Sequence, residues 1–202
     1  LTASGAGAKT LVLGGGNQLA NEISGNIVNN SGTNTTSVLK TGPGSWTLSG
    51  ANTYTGSTTI NNGALILKAS ASGATNIIAD AGAVIFNADG TTALGGHLGT
   101  QSAGGVLQFN GFAGGSQETL GALTATAGNG RVVIGGDTTG TTLTFASLGT
   151  RSAGATLDLA PGGSSTIGFT ASVAGTNGIF NGATTYNGVD WVASGTGPFT
   201  AA

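Results

Sequence analysis

The residues that could perform acid–base or metal chemistry are few and widely spaced in this sequence. The single histidine, His97, follows a pair of glycines, and the chain has no cysteine. A zinc site that includes His97 would need three carboxylates, because zinc in proteins is usually held by four nitrogen, sulfur or oxygen ligands. No carboxylate adjoins His97 in the sequence. We therefore expect an exposed turn histidine and no metal site.

The acidic residues do not form a recognisable catalytic pair. The seven carboxylates are Glu22, Asp80, Asp89, Glu118, Asp137, Asp158 and Asp190. Enzymes that cleave polysaccharides on a β-helix need two of them at one height, because a general acid and a general base must flank the same bond. The repeat described below stacks Asp158 over Val133 and aligns Asp137 with Gly162, which superposes no acidic pair. We therefore predict no catalytic residue and no enzymatic activity.

Three glycine-rich or acidic motifs also fall short of a binding site. Residues 135–137 (Gly-Gly-Asp) are a lone fragment of the tandem nonapeptide that binds calcium in β-rolls. Residues 14–16 (Gly-Gly-Gly) are not followed by the Gly-Lys-Ser/Thr of a phosphate-binding loop. A Ser-His-Asp constellation cannot be argued from one histidine in a turn. We predict no cofactor.

Charge and composition exclude two further classes of protein. Charged residues make up only 6% of the chain, the net charge is −2, and the five basic residues are not adjacent to one another. This pattern gives no electrostatic footprint for nucleic acid, which requires clustered lysines and arginines. No run of about 20 apolar residues exists, so we predict no transmembrane segment.

Short runs in which every second residue is apolar recur along the chain. Each copy of this apolar template begins with a small residue and continues with two apolar residues at alternate positions. The copies are residues 44–48, 63–67, 82–86, 105–109, 130–134 and 155–159, with a looser copy at 9–13. Alternation places the apolar side chains on one face of a strand. Their last apolar residues recur every 19 to 25 residues after one longer step of 35, which indicates a stacked solenoid.

The template makes a specific prediction about the core. We expect one column of side chains inside a single tube, formed by Leu48, Leu67, Phe86, Phe109, Ile134 and Leu159. In the same register Ile66 and Ile85 would stack outside as an aliphatic pair. Two interpretations of that pair remain open: strand propensity alone, or contact with a loop, a neighbouring molecule or a partner.

The most regular stretch, residues 44–67, carries a recognisable motif. It reads L-S-G-x-N-T-Y-T-G-x-T-T-I-x-x-G-x-L-x-L from Leu48 to Leu67. This motif resembles the autotransporter-associated β-strand repeat, the passenger-associated repeat of bacterial autotransporters. The resemblance implies a right-handed parallel β-helix that is exported to the bacterial cell surface. It implies no particular activity, because the passengers of this family differ in function.

These observations predict an all-β protein, a right-handed parallel β-helix (β-solenoid) that is an internal segment of a longer repeat array. We expect a single solenoid segment over residues 1–202, with regular coils in 37–160 and less regular coils in 161–202. The predicted function is a structural segment of a long secreted or cell-surface bacterial protein, forming a β-helical rod or fibre attached at the outer membrane.

An adhesin or glycan-binding passenger is the alternative function. It would use Trp191, Tyr186 or Tyr54 exposed on a lateral face to stack on sugar rings. The predicted partners are adjacent coils of the same longer chain, other copies in a fibre and surface glycans, with no nucleic acid. A polysaccharide-active enzyme ranks third and would require facing carboxylates in a cleft.

Overall fold

The computed structural model describes residues 4–19, 21–73, 75–88 and 104–173, and the strand backbone at 184–186, 190–191 and 195–198. His97 and Asp89 lie outside the described residues, as do the side chains of Tyr186, Asp190 and Trp191. The described residues form strands joined by turns, and no helix is found among them. The division between regular coils in 37–160 and less regular coils in 161–202 stays a prediction.

The strands are short, as expected for a chain that turns at glycine and asparagine every few residues. In chain order they are β1 (Lys9–Leu13), β2 (Glu22–Ile23), β3 (Thr36–Lys40), β4 (Ser45–Leu48), β5 (Thr58–Ile60), β6 (Gly63–Lys68), β7 (Val84–Asn87), β8 (Gly104–Gly111), β9 (Gln117–Leu120), β10 (Leu123–Ala127), β11 (Asn129–Gly136), β12 (Thr142–Phe145), β13 (Leu148–Arg151), β14 (Thr156–Ala160), β15 (Thr166–Val173), β16 (Thr184–Tyr186), β17 (Asp190–Trp191) and β18 (Gly195–Pro198).

The strands assemble into three sheets that surround one apolar core. Sheet A has the order β1-β3-β5-β7-β10-β13, sheet B the order β2-β4-β6-β8-β11-β14-β16-β17, and sheet C the order β9-β12-β15-β18. From β1 to β16, successive strands belong to different sheets, so that β10, β11 and β12 form the three sides of one coil. Neighbouring strands are parallel except in the pairs β16–β17 and β15–β18. The prediction of an all-β parallel β-helix is therefore confirmed.

Part of the predicted core column is present in sheet B. Leu48 pairs with Leu67, Leu67 with Phe109, and Phe109 with Ile134. All four side chains are at most 3% exposed. Parallel strands lie about 4.8 Å apart, so like side chains stack directly upon one another inside the tube.

Two members of the predicted column lie elsewhere. Phe86 belongs to sheet A, where it pairs with Ile60 and Ala125. Leu159 is in sheet B but pairs with Val132 instead of Ile134. The prediction was wrong at both positions because alternation with a period of two looks the same in every sheet. It also looks the same when a strand is shifted by two residues along its neighbour. The coil that contains Phe86 is in fact enlarged, since Leu67 pairs directly with a residue 42 positions later.

The predicted stack of Ile66 on Ile85 is also wrong for the same reason. Ile66 lies in sheet B between Thr47 and Gln108. Ile85 lies in sheet A, on the strand after Thr59. Both isoleucines are half-buried and occupy outward positions among uncharged neighbours, so β-branched side chains at these positions fit a role in strand formation.

The small residue that opens the template has a packing role. Gly63, Gly105 and Gly130 pair in succession at the start of their strands in sheet B. A Cβ atom on Gly130 would lie 2.5 Å from the ring of Phe86, and one on Gly105 would lie 2.6 Å from Ile60 Cγ2. Sheet A side chains thus fill the space that a larger residue in sheet B would need.

Candidate functional site

The third side of the N-terminal coils is closed by side chains instead of strands. Among the described strands, sheet C begins at β9, and the described residues of the earlier coils form no strand on this side. The chain here turns frequently, and its backbone N–H and C=O groups need other partners once they are buried. Three polar side chains, Asn29, Asn52 and Glu118, supply those partners, and we call them the polar seam.

Asn52 joins three consecutive coils. Its side chain is 1% exposed. Oδ1 accepts a hydrogen bond from the N–H of Ile27 at 2.8 Å, in the preceding coil. Nδ2 donates to the carbonyl oxygen of Gly50 at 2.8 Å and to that of Ile77, in the following coil, at 2.7 Å. One asparagine thus makes hydrogen bonds that a strand would make with its two neighbours.

Asn29 has the same kind of role one coil earlier. Its Oδ1 accepts the N–H of Thr36 at 3.0 Å and the N–H of Thr55 at 2.9 Å. Its Nδ2 donates to the hydroxyl oxygen of Thr55 at 3.0 Å. Asparagine suits this position because its amide presents both an acceptor and donors that match backbone groups.

Glu118 is the last member of the seam and lies at the start of sheet C. It is 1% exposed, and its two carboxylate oxygens accept the N–H groups of Ile77 and Ile78, each at 2.9 Å. Burial raises the pKa of this carboxyl to about 7, while the N–H donors oppose the shift and the charge of Asp80 adds to it. Glu118 is one of the seven carboxylates for which the sequence predicts no catalytic pair. Its oxygens are instead engaged by the backbone of the preceding coil.

Lys40 is a second buried charge, at the corner between sheets A and B. Its side chain is fully buried and occupies the core column between Leu13 and Ile60. Nζ donates to the carbonyl oxygens of Thr41 and Gly42 at 2.8 Å and to that of Asn62 at 3.0 Å. Three carbonyls match the three N–H donors of an ammonium group. Burial lowers the pKa of Lys40 to about 8.

Tyr54 was a sequence candidate for stacking on sugars, and the structure overturns that assignment. The side chain is 1% exposed, and its hydroxyl lies 2.7 Å from the hydroxyl of Thr58. Burial raises the pKa of this phenol because the charged form would lose its hydration. Tyr54 is therefore a core residue. The side chains of Trp191 and Tyr186, the other two candidates, lie outside the described residues.

Two further carboxylates, those of Glu22 and Asp158, contact neighbours on the outside of the coils. Glu22 accepts a hydrogen bond from the hydroxyl of Ser49 and forms an ion pair with Lys68 at 3.8 Å. The predicted stack of Asp158 over Val133 was wrong, since Asp158 pairs with Arg131 and lies 3.0 Å from its Nε. β14 is shifted by two residues along β11 relative to the predicted register, which places Asp158 beside Arg131 instead of Val133.

The structure also shows what Asp137, the acidic residue of the Gly-Gly-Asp fragment, contacts. Asp137 accepts the N–H of Thr139 at 2.9 Å, a turn contact within its own loop. Across the described ranges, no cluster of three or more histidine, cysteine or acidic side chains could hold a metal ion. In the same part of the chain, no helix is long and apolar enough to span a lipid bilayer.

Sequence reasoning missed Lys40 and the inward role of Glu118, although a signal was present. Lys40 lies two residues after Val38, and Glu118 lies two residues before Leu120. Because alternate residues share a face, both charged side chains fall on the apolar face of their strands. Asn52 offered no such signal, since it lies in a turn.

Comparisons with known proteins agree with this architecture. Residues 38–67, which include Lys40, Asn52 and Tyr54, match the family model described as the passenger-associated-transport-repeat. Residues 38–67 therefore carry a passenger-associated repeat. The resemblance inferred from the motif at 44–67 is thus confirmed, and the chain is part of a secreted or cell-surface bacterial protein.

One curated relative is similar over a longer range. The chain is 39% identical over 94 residues to a protein named Adhesin BmaC autotransporter from Brucella suis biovar 1 (strain 1330). The alignment covers 44% of this chain and 3% of the adhesin, so the chain spans a small fraction of the length of that relative. No solved structure matches the chain.

Proposed function

We propose that this passenger segment is a structural, non-enzymatic rod that spaces or presents other parts of a long protein attached at the bacterial outer membrane. The observation that carries the proposal is the continuous parallel ladder of sheet B, in which β2, β4, β6, β8, β11, β14 and β16 pair in sequence. A ladder of this kind can be lengthened coil by coil, because each coil contacts mainly its two neighbours.

The interior of the tube supports a mechanical role. Most core side chains are apolar, and the buried polar groups of Lys40, Asn52 and Glu118 each bond to backbone groups of a neighbouring turn or coil. These contacts link successive coils and leave the three side chains engaged inside the protein. A scaffold needs such links between coils more than it needs reactive groups on its surface.

A deletion in the full-length surface protein tests the proposal. Arg131 pairs with Asp158, so removal of residues 131–157 joins Gly130 to Asp158 and keeps the register of sheet B. We expect normal surface display, unchanged attachment of the displaying bacteria to glass and continued protease resistance. Removal of 132–157 is the matched control, because a slip of one residue then places Asp158 inward and Leu159 outward. That control should lose protease resistance.

The result that would contradict the structural role is equally specific. If the in-register deletion is displayed and resists protease but attachment falls, the removed coil carries a binding function. If both deletions behave alike, the register of sheet B does not govern folding of the segment.

Adhesion to surface glycans is the second candidate function. It is favoured by the similarity to a protein named an adhesin and by Phe112, which is 43% exposed at the turn after β8. Exposed aromatic rings can stack on the apolar faces of sugars. Replacement of Phe112 by Ala should then weaken binding to a glycan array, whereas replacement of the exposed Val12 by Ala should not. Equal binding by both variants and the parent protein would argue against Phe112 as the contact.

Association of copies into fibres is a further element of the structural proposal. The outward residues Val12, Leu39, Thr59 and Ile85 of sheet A lie in register and carry no charge. A face without charge does not oppose lateral contact between copies. Sedimentation velocity over a hundredfold concentration range should then show species larger than a monomer, and a single monomeric species throughout would contradict it.

A further inference from the structure

The segment between β6 and β7 crosses the third side of the helix without forming a strand. Its residues 75–82, which we call the strap, are anchored by Ile77 and Ile78, which are 4% and 1% exposed. Asn76 has a φ of 58°, the left-handed conformation that residues other than glycine adopt at a cost. The strap is thus a short irregular segment held closed by two apolar side chains and by its hydrogen bonds.

On one side the strap is tied to the preceding coil. The carbonyl oxygen of Ile77 accepts hydrogen bonds from the backbone N–H of Asn52 at 3.0 Å and from its Nδ2 at 2.7 Å. These donors carry no titratable proton in the range of biological pH. This attachment is therefore independent of pH.

On the other side the strap is tied to the following coil through Glu118. Among the described strands, β9 is the edge of sheet C, and none of them pairs with it on the side of the strap. The Glu118 carboxylate extends from this edge and accepts the N–H groups of Ile77 and Ile78. A buried carboxylate thus takes the place of strand pairing at the point where sheet C begins.

We propose that Glu118 is a latch on the strap, and that proton binding by its carboxyl group controls how often the strap opens. In the closed state the carboxyl is buried, whereas in the open state water reaches it. Opening therefore changes the affinity of this group for protons, and pH must shift the opening equilibrium by linkage.

The groups that face Glu118 set the direction of the effect. Asp80 on the strap and Tyr54 in the preceding coil interact electrostatically with it, and its partner across the ladder, Leu143 of β12, is uncharged. Loss of hydration raises the pKa of Glu118 to about 7 in the closed state, and hydration on opening returns it towards 4.5. At a pH between 4.5 and about 7, opening of the strap therefore releases a proton from Glu118. Acid thus favours the closed strap, and neutral pH favours opening.

Hydrogen exchange of the full chain, followed by mass spectrometry from pH 5 to pH 8, tests the proposal. After correction for intrinsic exchange rates, peptides that cover 75–82 should show an opening equilibrium that rises roughly tenfold per pH unit up to about pH 7 and then levels off. Peptides from β11 should show no such slope.

Two variants separate the latch from general destabilisation. Glu118→Gln cannot titrate and should remove the slope, although one N–H of the strap then faces an amide donor and protection falls at every pH. Glu22→Gln removes an exposed carboxylate from sheet B and should leave the slope intact.

Three outcomes would overturn the proposal. They are a strap whose corrected protection is independent of pH in the parent protein, a slope that survives Glu118→Gln, and a slope shared equally by β11. If Glu118→Gln does not fold, the pH dependence of hydrogen exchange in the strap of the parent protein, compared with that of β11, still tests the proposal.

Discussion

Asn52 and Ile27 lie in successive coils and are joined by a 2.8 Å hydrogen bond from the Ile27 N–H to the Asn52 Oδ1 atom. The same side chain donates to the carbonyl oxygen of Ile77 in the next coil. Asn52 therefore connects its own coil with both neighbours where no strand is present to do so. This relationship explains how an irregular side of the helix holds together with so few regular ladder contacts.

Replacement of Asn52 by Ala is expected to lower the free energy of unfolding by about 2–4 kcal/mol, because the substitution leaves buried backbone groups without partners. The groups that lose a partner include the N–H of Ile27 and the carbonyl oxygen of Gly50. Urea unfolding followed by circular dichroism measures the change. Asn87→Ala is the matched control, since Asn87 is exposed and should cost less than about 0.5 kcal/mol. Equal costs for the two variants would contradict the bridging role of Asn52.

Replacement of Lys40 by Met tests the carbonyl cradle. Methionine fills a similar volume but cannot donate to the carbonyl oxygens of Thr41, Gly42 and Asn62. We expect a loss of about 2–4 kcal/mol of stability in urea unfolding, because buried acceptors remain unpaired. Lys68→Met removes an ion pair that is half exposed and should cost less than about 1 kcal/mol. A neutral or stabilising effect of Lys40→Met would show that the cost of burying the ammonium outweighs its three hydrogen bonds.

Stability should rise with pH between pH 8 and pH 10. The pKa of Lys40 is about 8 in the folded protein and 10.5 when it is hydrated in the unfolded chain. The unfolded chain thus binds more protons in this window, so each pH unit favours the folded state, with a total gain of about 1–2 kcal/mol. Above pH 10 the opposite trend begins, because the raised pKa of Tyr54 keeps its phenol neutral in the fold while it ionises in the unfolded chain.

Urea midpoints at pH 8, 9 and 10 measure this dependence. Lys40→Met should abolish the rise, and Lys68→Met should keep it. A flat profile for the parent protein would mean that the three carbonyl oxygens compensate fully for the lost hydration of Lys40.

Gly130→Ala is expected to destabilise the helix by about 1–3 kcal/mol, because the added methyl group meets the ring of Phe86. Phe86→Leu makes room at this position, so the double variant should be more stable than the sum of the two single effects implies. Gly16→Ala is the control, since nothing lies within 4 Å of its added Cβ atom. Thermal unfolding of the four combinations gives the coupling energy, and a value near zero would contradict the contact.

Much of the fold could be predicted from alternation alone. Four members of the predicted column, Leu48, Leu67, Phe109 and Ile134, stack as expected, because inward residues in parallel coils must share one register. Phe86 was misplaced because the same alternating pattern forms strands of sheet A as well as of sheet B. Only the pairing between coils distinguishes the sheets, and pairing depends on the length of each turn.

The polar seam could be predicted only in part. The position of Glu118 two residues from Leu120 indicates an inward side chain, but a buried carboxylate is unfavourable without hydrogen-bond donors. Its donors, the N–H groups of Ile77 and Ile78, lie about 40 positions earlier in the chain. Such distant partners become evident only when the coils are stacked.

Coil length and strand stacking are independent in this helix. Leu67 and Phe109 pair directly although 42 positions separate them, and β7 and β10 pair in the neighbouring sheet. A difference in coil length therefore changes the number of residues in one turn of the helix and leaves the number of stacked strands unchanged.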